Sequence, residues 1–289
     1  MAILIDEHTR VLIQGITGKV GSFQTKIMLE YGTNIVAGVT PGKGGTSLNG
    51  VPVYNFVEDA LRDHEADVAL CFVPARLAKD AAIEAIDNGI ELLVLTTAGI
   101  PDQDALSILN YASIKDTRVL GPDTPGLVSP GKCKVGVHPD RVLKEGSVGV
   151  VSKSGALSYE VCKQLTENGY GQSTVVGIGG GPLWHITQRD TLELFENDPQ
   201  TKVIVLLGEV GGTMEHEAAA FIETRMSKPV ISLIVGRSAP KGTQMGHAGA
   251  IIEGEKETAE SKIDALKKAG SYVAKNPAEI IAFLKKLGV

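Results

Sequence analysis

Arg10-Val-Leu-Ile-Gln14-Gly15-Ile-Thr-Gly18-Lys-Val-Gly21-Ser22 decides the fold of this chain. An apolar run of strand length enters a turn with three glycines at three-residue spacing. A helix then follows over residues 22–31. Strand, turn and helix in that order aim backbone N–H groups and the positive end of a helix dipole at a ligand. The alternation continues outward. Strands are expected at residues 34–39, 68–73, 92–96 and 118–121, with helices at 57–63 and 77–88. Short apolar strands between helices imply an α/β fold with a parallel sheet covered on both faces. Residues 121–146, rich in Pro, Gly and Lys, read as an irregular connection. A second alternation follows, with strands at 147–152, 173–178, 203–207 and 230–235 and helices including 157–168 and 214–226. The expected division is a first domain over 1–122, a connection over 123–145 and a second domain over 146–289.

Composition narrows the function. With 289 residues, the chain has room for two cores of ordinary size. Its 34 glycines exceed the usual ~7% share, which suits close approach of backbone to phosphate-rich ligands. A formal charge of −6 argues against nucleic-acid binding, which needs a basic face. Cys71, Cys133 and Cys162 have neither paired nor metal-ligand spacing, so the expectation is a reduced, cytoplasmic setting with no metal site. Residues 1–10 lack the apolar core of a signal peptide, and no apolar run reaches the ~20 residues that span a membrane.

The first turn is G-x-x-G-x-x-G, not the dinucleotide G-x-G-x-x-G. A nicotinamide cofactor would also call for an acidic residue after the second strand. Here Thr40-Pro-Gly-Lys43-Gly-Gly45 takes that place. A lysine among glycines suits a phosphorylated ribose or pyrophosphate, so coenzyme A fits better than NAD. Walker-type spacing is absent. In the second half, Ser152-Lys-Ser154-Gly155 again joins a strand to a helix, as an anion cradle or as a plain N-cap serine. Leu206-Leu-Gly208-Glu209-Val-Gly211-Gly212 ends a strand with a carboxylate. Glu209 either caps the next helix or orients His247, which sits in Met245-Gly246-His247-Ala248-Gly249-Ala250. Small neighbours leave that imidazole free to meet a phosphate or a thioester.

Taken together, these runs, with Phe72-Val-Pro74 and Ala239-Pro-Lys-Gly242, closely resemble the alpha subunits of succinyl-CoA synthetase, the NDP-forming acid–CoA ligases. The resemblance implies a Rossmann-like CoA-binding domain followed by a flavodoxin-like ligase domain, both with parallel sheets. It implies an ATP-grasp beta subunit, in an αβ or α2β2 assembly, that brings ATP or GTP and Mg²⁺. His247 matches the phosphorylated histidine and Glu209 its orienting glutamate, with Ser154 and Gly155 steadying the phosphoryl group. Gly15, Thr17, Gly18, Lys19, Val20 and Lys43 would hold CoA, with Thr96, Thr97, Ala98 and Pro122 beside its pantetheine arm. Tyr159, Gly179, Gly180, Gln188 and Arg189 would face the acid.

The departures from the family pattern gather on the acid side. Thr-Glu-Gly becomes Thr97-Ala98-Gly99, Gly-Pro-Asn becomes Gly121-Pro122-Asp123, and Ser-Arg-Ser-Gly-Thr becomes Ser152-Lys153-Ser154-Gly155-Ala156. Gly-Gly-Asp-Pro becomes Gly179-Gly180-Gly181-Pro182, followed by Trp184, His185, Gln188 and Arg189. Losing an aspartate and gaining donors favours a more anionic acid, such as malate, citrate or sulfoacetate. Drift in an ordinary succinate enzyme is the alternative. Two rivals lie outside the ligases: a non-catalytic CoA-binding regulator, and an NAD oxidoreductase.

Overall fold

The structure is a computed structural model, and residues 2–289 are described. The first half forms β1 (Arg10–Gln14), α1 (Lys19–Tyr31), β2 (Asn34–Val39), β3 (Thr46–Leu48), β4 (Val51–Tyr54), α2 (Val57–Asp63), β5 (Val68–Cys71), α3 (Ala75–Asp87), β6 (Leu92–Leu95), α4 (Asp102–Ile114) and β7 (Arg118–Leu120). Its sheet runs β3-β4-β2-β1-β5-β6-β7. All pairs are parallel except the β3–β4 hairpin at the edge. Strands β5 and β6 are buried along their whole length, as sheets covered on both faces require. The order reverses at β1, whose neighbours β2 and β5 carry the chain away on opposite sides. A crevice therefore opens at the carboxyl ends of β1 and β5.

The second half forms β8 (Gly126–Ser129), β9 (Cys133–Gly136), β10 (Glu145–Ser152), α5 (Gly155–Glu167), β11 (Gln172–Gly177), α6 (Gln188–Asn197), β12 (Val203–Gly208), α7 (Met214–Arg225), β13 (Val230–Ile234), α8 (Ala259–Lys268), β14 (Tyr272–Ala274) and α9 (Pro277–Leu287). Sheet order is β14-β13-β12-β10-β11-β8-β9. Without its last two strands this is the 2-1-3-4-5 order of flavodoxin-like folds, with its switch point between β10 and β12.

Within the segment expected to be an irregular connection, residues 126–136 form a buried hairpin. β8 and β9 pair antiparallel, and β8 adds antiparallel to the edge of β11. Every residue of both strands is buried. Part of the cover comes from the other half of the molecule. Thr33, just after α1, donates its hydroxyl to Lys134 O at 2.8 Å and accepts from Lys134 N–H at 3.1 Å. Ile186 N–H donates to Val119 O across the same junction. One continuous apolar cluster runs from Val11 and Val94 through Leu127 to Ile204 and Leu266, so the two sheets share a core. No helix among the described residues is long and apolar enough to cross a membrane.

Candidate functional site

Two sites form, one at each switch point. At the first, Gly15 has φ +77°, and a Cβ there would lie 3.2 Å from the Phe72 backbone. A Cβ on Gly21 would lie 2.2 Å from Gly15 O, so only glycine lets α1 start this close to the end of β1. Gly18 caps α1 without a side chain, and the first N–H groups of a helix have no intrahelical partner. They face a cleft of about 710 Å³ lined by Gly15, Thr17, Gly18, Lys19 and Val20, with Pro41, Phe56, Phe72 and Leu77 as apolar walls. Val20, Phe56 and Leu77 are 55%, 57% and 46% exposed, an apolar surface that a flat ring can cover.

The remaining residues expected around this ligand are placed differently. Lys43 is exposed in the β2–β3 loop, which is pinned by its own backbone: Lys43 N–H donates to Thr40 O, and Thr46 Oγ1 donates to Lys43 O at 2.7 Å. Thr96 and Thr97 spend their hydroxyls on Cys71 O and Val73 O, tying the end of β6 to that of β5. Ala98 is exposed beside them. Pro122 is buried, and its carbonyl packs against Gly179 and Gly181 of the other domain.

At the second switch point β12 ends in Gly208-Glu209, next to β10, which ends in Ser152. Glu209 Oε2 lies 2.7 Å from Nδ1 of His247. The side chains are 8% and 30% exposed, so the carboxylate is buried while the imidazole keeps an open edge. The hydrogen bond to Glu209 raises the His247 pKa above its ordinary value, against the opposing effects of burial and of Lys153. Gly180 packs flat on the ring: a Cβ there would sit 2.5 Å from the imidazole Cγ. Gly180 O accepts from Gly249 N–H at 3.2 Å, which fixes the histidine loop to the 179–181 loop. Asp123 is half-buried nearby, and burial holds its carboxyl above the usual range.

Ser154 caps α5 by accepting from Leu157 N–H, while Ser152 Oγ braces the turn at Ser154 O and N. Gly155 lies against Tyr159, whose hydroxyl would be 3.3 Å from a Cβ at that position. These groups, Gly179 and Gly180 belong to the same end of the sheet as His247. Of the polar residues after Trp184, His185 and Arg189 turn elsewhere, while Gln188 stays at the end of β12. His185 turns to the first domain, accepting from Val119 N–H and meeting Ser113 Oγ. Gln188 is buried and donates to Leu207 O. Arg189 pairs with Asp190 and Glu193 and lies over Phe221, in the groove between α6 and α7. Helix α6 explains the last two: Thr187 and Asp190 form a capping box that fixes the helix start and the directions of its first residues.

Three charged residues went unread as part of the site. Lys153, Glu215 and Lys262 are buried beside Glu209. Lys262 had a legible signal, because Ala259, Lys262, Ile263 and Leu266 form the buried stripe of α8 at helical spacing. Glu215, in the first turn of α7, had none.

This architecture agrees with known families. A model of CoA-binding domains matches residues 6–99, and a model of CoA-ligase domains matches residues 151–272. The alpha subunit of ADP-forming succinate–CoA ligase from Aquifex aeolicus is 51% identical over 282 residues, 97% of this chain and 92% of that protein. Alpha subunit 1 from Archaeoglobus fulgidus is 52% identical over 287 residues, 99% of this chain and 98% of that protein. The chain belongs to the alpha-subunit family of the NDP-forming acid–CoA ligases. Among solved structures, ATP citrate lyase from Methanothrix soehngenii, in complex with citrate and coenzyme A, superposes with a TM-score of 0.88 at 27% identity. That match covers 99% of this alpha subunit but 52% of the lyase, so the chain spans about half the length of the lyase. A dinucleotide-forming acetyl-coenzyme A synthetase from Ca. Korarchaeum cryptofilum shares the fold, with a TM-score of 0.76 at 23% identity. The matched CoA-binding region contains the whole glycine-turn cleft, and the matched ligase region contains Glu209 and His247.

Proposed function

We propose that this alpha subunit makes an acyl-CoA thioester by relaying a phosphoryl group through His247. The observation that carries the reading is the 2.7 Å contact between Glu209 and Nδ1, which fixes the proton on that nitrogen and leaves Nε2 as the nucleophile. In the first step the Nε2 lone pair attacks the terminal phosphorus of ATP or GTP, and the bond to the nucleoside diphosphate breaks. The charge gained by the ring is met by Glu209. A carboxylate oxygen of the acid then attacks the same phosphorus, the N–P bond breaks, and a neutral imidazole returns. Finally the thiol sulfur of CoA attacks the acyl carbon and phosphate leaves, carrying off the thiol proton. The free N–H groups at the start of α1 and the apolar walls of the cleft suit the phosphates and adenine of CoA. Lys43, exposed in the β2–β3 loop, would meet the ribose phosphate.

The nucleotide and Mg²⁺ belong to an ATP-grasp beta subunit. Residues 241–246 are exposed, presenting the histidine outward toward a partner. A cytoplasmic setting suits three buried free cysteines. We place the domain boundary at residue 122, with β8 and β9 assigned to the ligase domain.

Succinate is the acid best supported, because His185 and Arg189 have other partners and the two relatives described above are alpha subunits of succinate–CoA ligases. One observation favours a bulkier anion such as malate, citrate or sulfoacetate. The nearest atom to a Cβ on Gly181 would be 3.7 Å away, so the missing aspartate leaves space. Turnover on a panel of these acids, with the cognate beta subunit, separates the two: dominant succinate activity sets the bulkier acid aside. His247→Ala is expected to abolish both acid-labile labelling from ATP and thioester synthesis. Undiminished synthesis in that variant refutes the relay.

A further inference from the structure

Lys153 follows the end of β10 and lies beside Glu209. It is 1% exposed, and its Nζ has no hydrogen-bond partner. The ammonium lies 3.7 Å from Glu209 Oε1 and 3.8 Å from Glu215 Oε1, and it sits under the face of Trp184, 4.8 Å from the ring centroid. Glu209 Oε1 is itself buried without a hydrogen bond. An unpaired donor and an unpaired acceptor thus lie 3.7 Å apart. Both are within one side chain of His247.

The neighbouring lysine behaves differently. Lys262 Nζ donates to Glu209 O at 2.7 Å, to Gly211 O at 2.6 Å and to Glu215 Oε2, so all three of its protons are used. Glu215 Oε1 accepts from Glu209 N–H at 3.1 Å. Lys262 therefore holds the backbone of the turn and Glu215. It gives no hydrogen bond to the carboxylate that orients the histidine. That carboxylate has two oxygens: one is on Nδ1 of His247, and the other faces Lys153.

We infer that Lys153 is a positioning residue for the phosphoryl relay: its ammonium keeps Glu209 ionised beneath His247, and thereby keeps the proton on Nδ1 and Nε2 free to attack. The inference rests on the proposed relay. Its physical basis is charge balance in a buried site. Two lysines, 153 and 262, stand against two glutamates, 209 and 215, and an uncompensated buried carboxylate takes up a proton rather than remain charged. Once protonated, Glu209 can donate to Nδ1 instead of accepting from it, and the imidazole proton moves to Nε2. The remaining charged groups around Glu209 do not replace Lys153. Asp123 is an acid and brings no positive charge, and His247 is the group being oriented. Trp184 roofs the ammonium and is held there by its own Nε1–H, which donates to Gly179 O at 3.0 Å. The ring keeps water from the lysine while its face favours the positive charge. This gives the chain's single tryptophan a role apart from the acid.

The test compares Lys153→Met, Lys153→Arg and the double variant Lys153→Met with Glu215→Gln. Histidine phosphorylation by ATP is measured in the complex with the beta subunit across pH, and the imidazole ¹⁵N spectrum of His247 is recorded on the full chain. Wild type is expected to show a single tautomer, with the proton on Nδ1. In Lys153→Met a mixed tautomer is expected, with phosphorylation slowed at least tenfold at neutral pH and recovering as the pH is raised. Lys153→Arg keeps the charge and retains the wild-type tautomer. The double variant removes one charge of each sign, and it is expected to regain much of the tautomer preference and rate. A purely packing role predicts no such recovery. Wild-type tautomer and pH profile in Lys153→Met overturn the inference. If Lys153→Met does not fold, failure of the charge-balanced double variant to restore the Nδ1–H form overturns it instead. Absence of phosphohistidine in wild type would overturn the relay itself, whereas the tautomer reading stands or falls without it.

Discussion

Both sites lie at a switch point of a parallel sheet, yet they are made of opposite materials. The cleft at β1 and β5 is built from backbone N–H groups, glycines and exposed apolar side chains. The site at β10 and β12 is built from buried charges, with Glu209, Glu215, Lys153 and Lys262 packed under one half-exposed imidazole. The difference fits the roles proposed for the two sites. A ligand that only binds needs shape and a few fixed dipoles, and these work without a change of charge. A side chain that takes and gives a phosphoryl group must gain and lose charge in place, so its countercharges are set beforehand.

The largest effect is expected where this contrast is sharpest. Glu209→Gln keeps the shape of the site and removes the charge beneath the ring. Phosphorylation of His247 should fall by about 10³-fold or more, the scale seen when a buried carboxylate no longer fixes a histidine tautomer. The pH profile should move as well. In wild type the imidazole pKa is raised, so the reactive neutral form is lost as pH falls through a value above the usual imidazole range. Without Glu209, burial and Lys153 push the ring downward with only Asp123 opposing them, and the acid limb should shift to lower pH. Rapid-quench labelling from pH 5.5 to 8.5 checks both; an unmoved limb would break the comparison.

A smaller loss, about 10²-fold, is expected for Gly180→Ala, whose Cβ would displace the ring by roughly 1 Å. CoA binding, measured by calorimetry, should be unchanged in that variant. Gly21→Ala is the counterpart in the other domain. Its Cβ meets a backbone oxygen, so α1 must shift at a cost of about 1–3 kcal/mol. CoA should bind more weakly while labelling of His247 by ATP persists. Loss of both activities in either variant would mean the two sites are not separable.

The smallest effect sharpens the contrast within the second domain. His138 is fully buried against Tyr159, and burial pushes its pKa down to about 3, the reverse of His247. Its neutral ring favours folding above the unfolded value near 6.5, and that stability is lost as pH falls from there toward 3. One such group sets a slope of about 1.4 kcal/mol per pH unit. His138→Phe should flatten the slope in denaturant titrations between pH 6.5 and 4.5. Relay activity at neutral pH should be kept.

Much of this was legible in the sequence because it depends on local chemistry. The G-x-x-G-x-x-G turn needs only three glycines between an apolar run and a helix. The pairing of Glu209 with His247 was readable as one of two expectations, because a carboxylate at a strand end can either cap the next helix or orient an imidazole. The β8–β9 hairpin was not legible. Each strand has four residues, set around Pro130-Gly131-Lys132, and becomes a strand only when β11 and the α1 region cover it. The donors after Trp184 misled for a related reason. Side-chain chemistry gives His185, Gln188 and Arg189 the means to hold an anion, but the start of α6 decides where the last two point.

The sequence by itself determined two α/β halves, the glycine cradle and the histidine with its carboxylate, since each is written in neighbouring residues and helical or strand spacing. Only the tertiary structure decided which charges share the buried site. Lys153, Glu209, Glu215 and Lys262 come from four separate stretches of chain, and it is burial together that turns ordinary surface residue types into one balanced set. Electrostatic coupling of that strength depends on distance and on the exclusion of water, and neither is a property of a linear string.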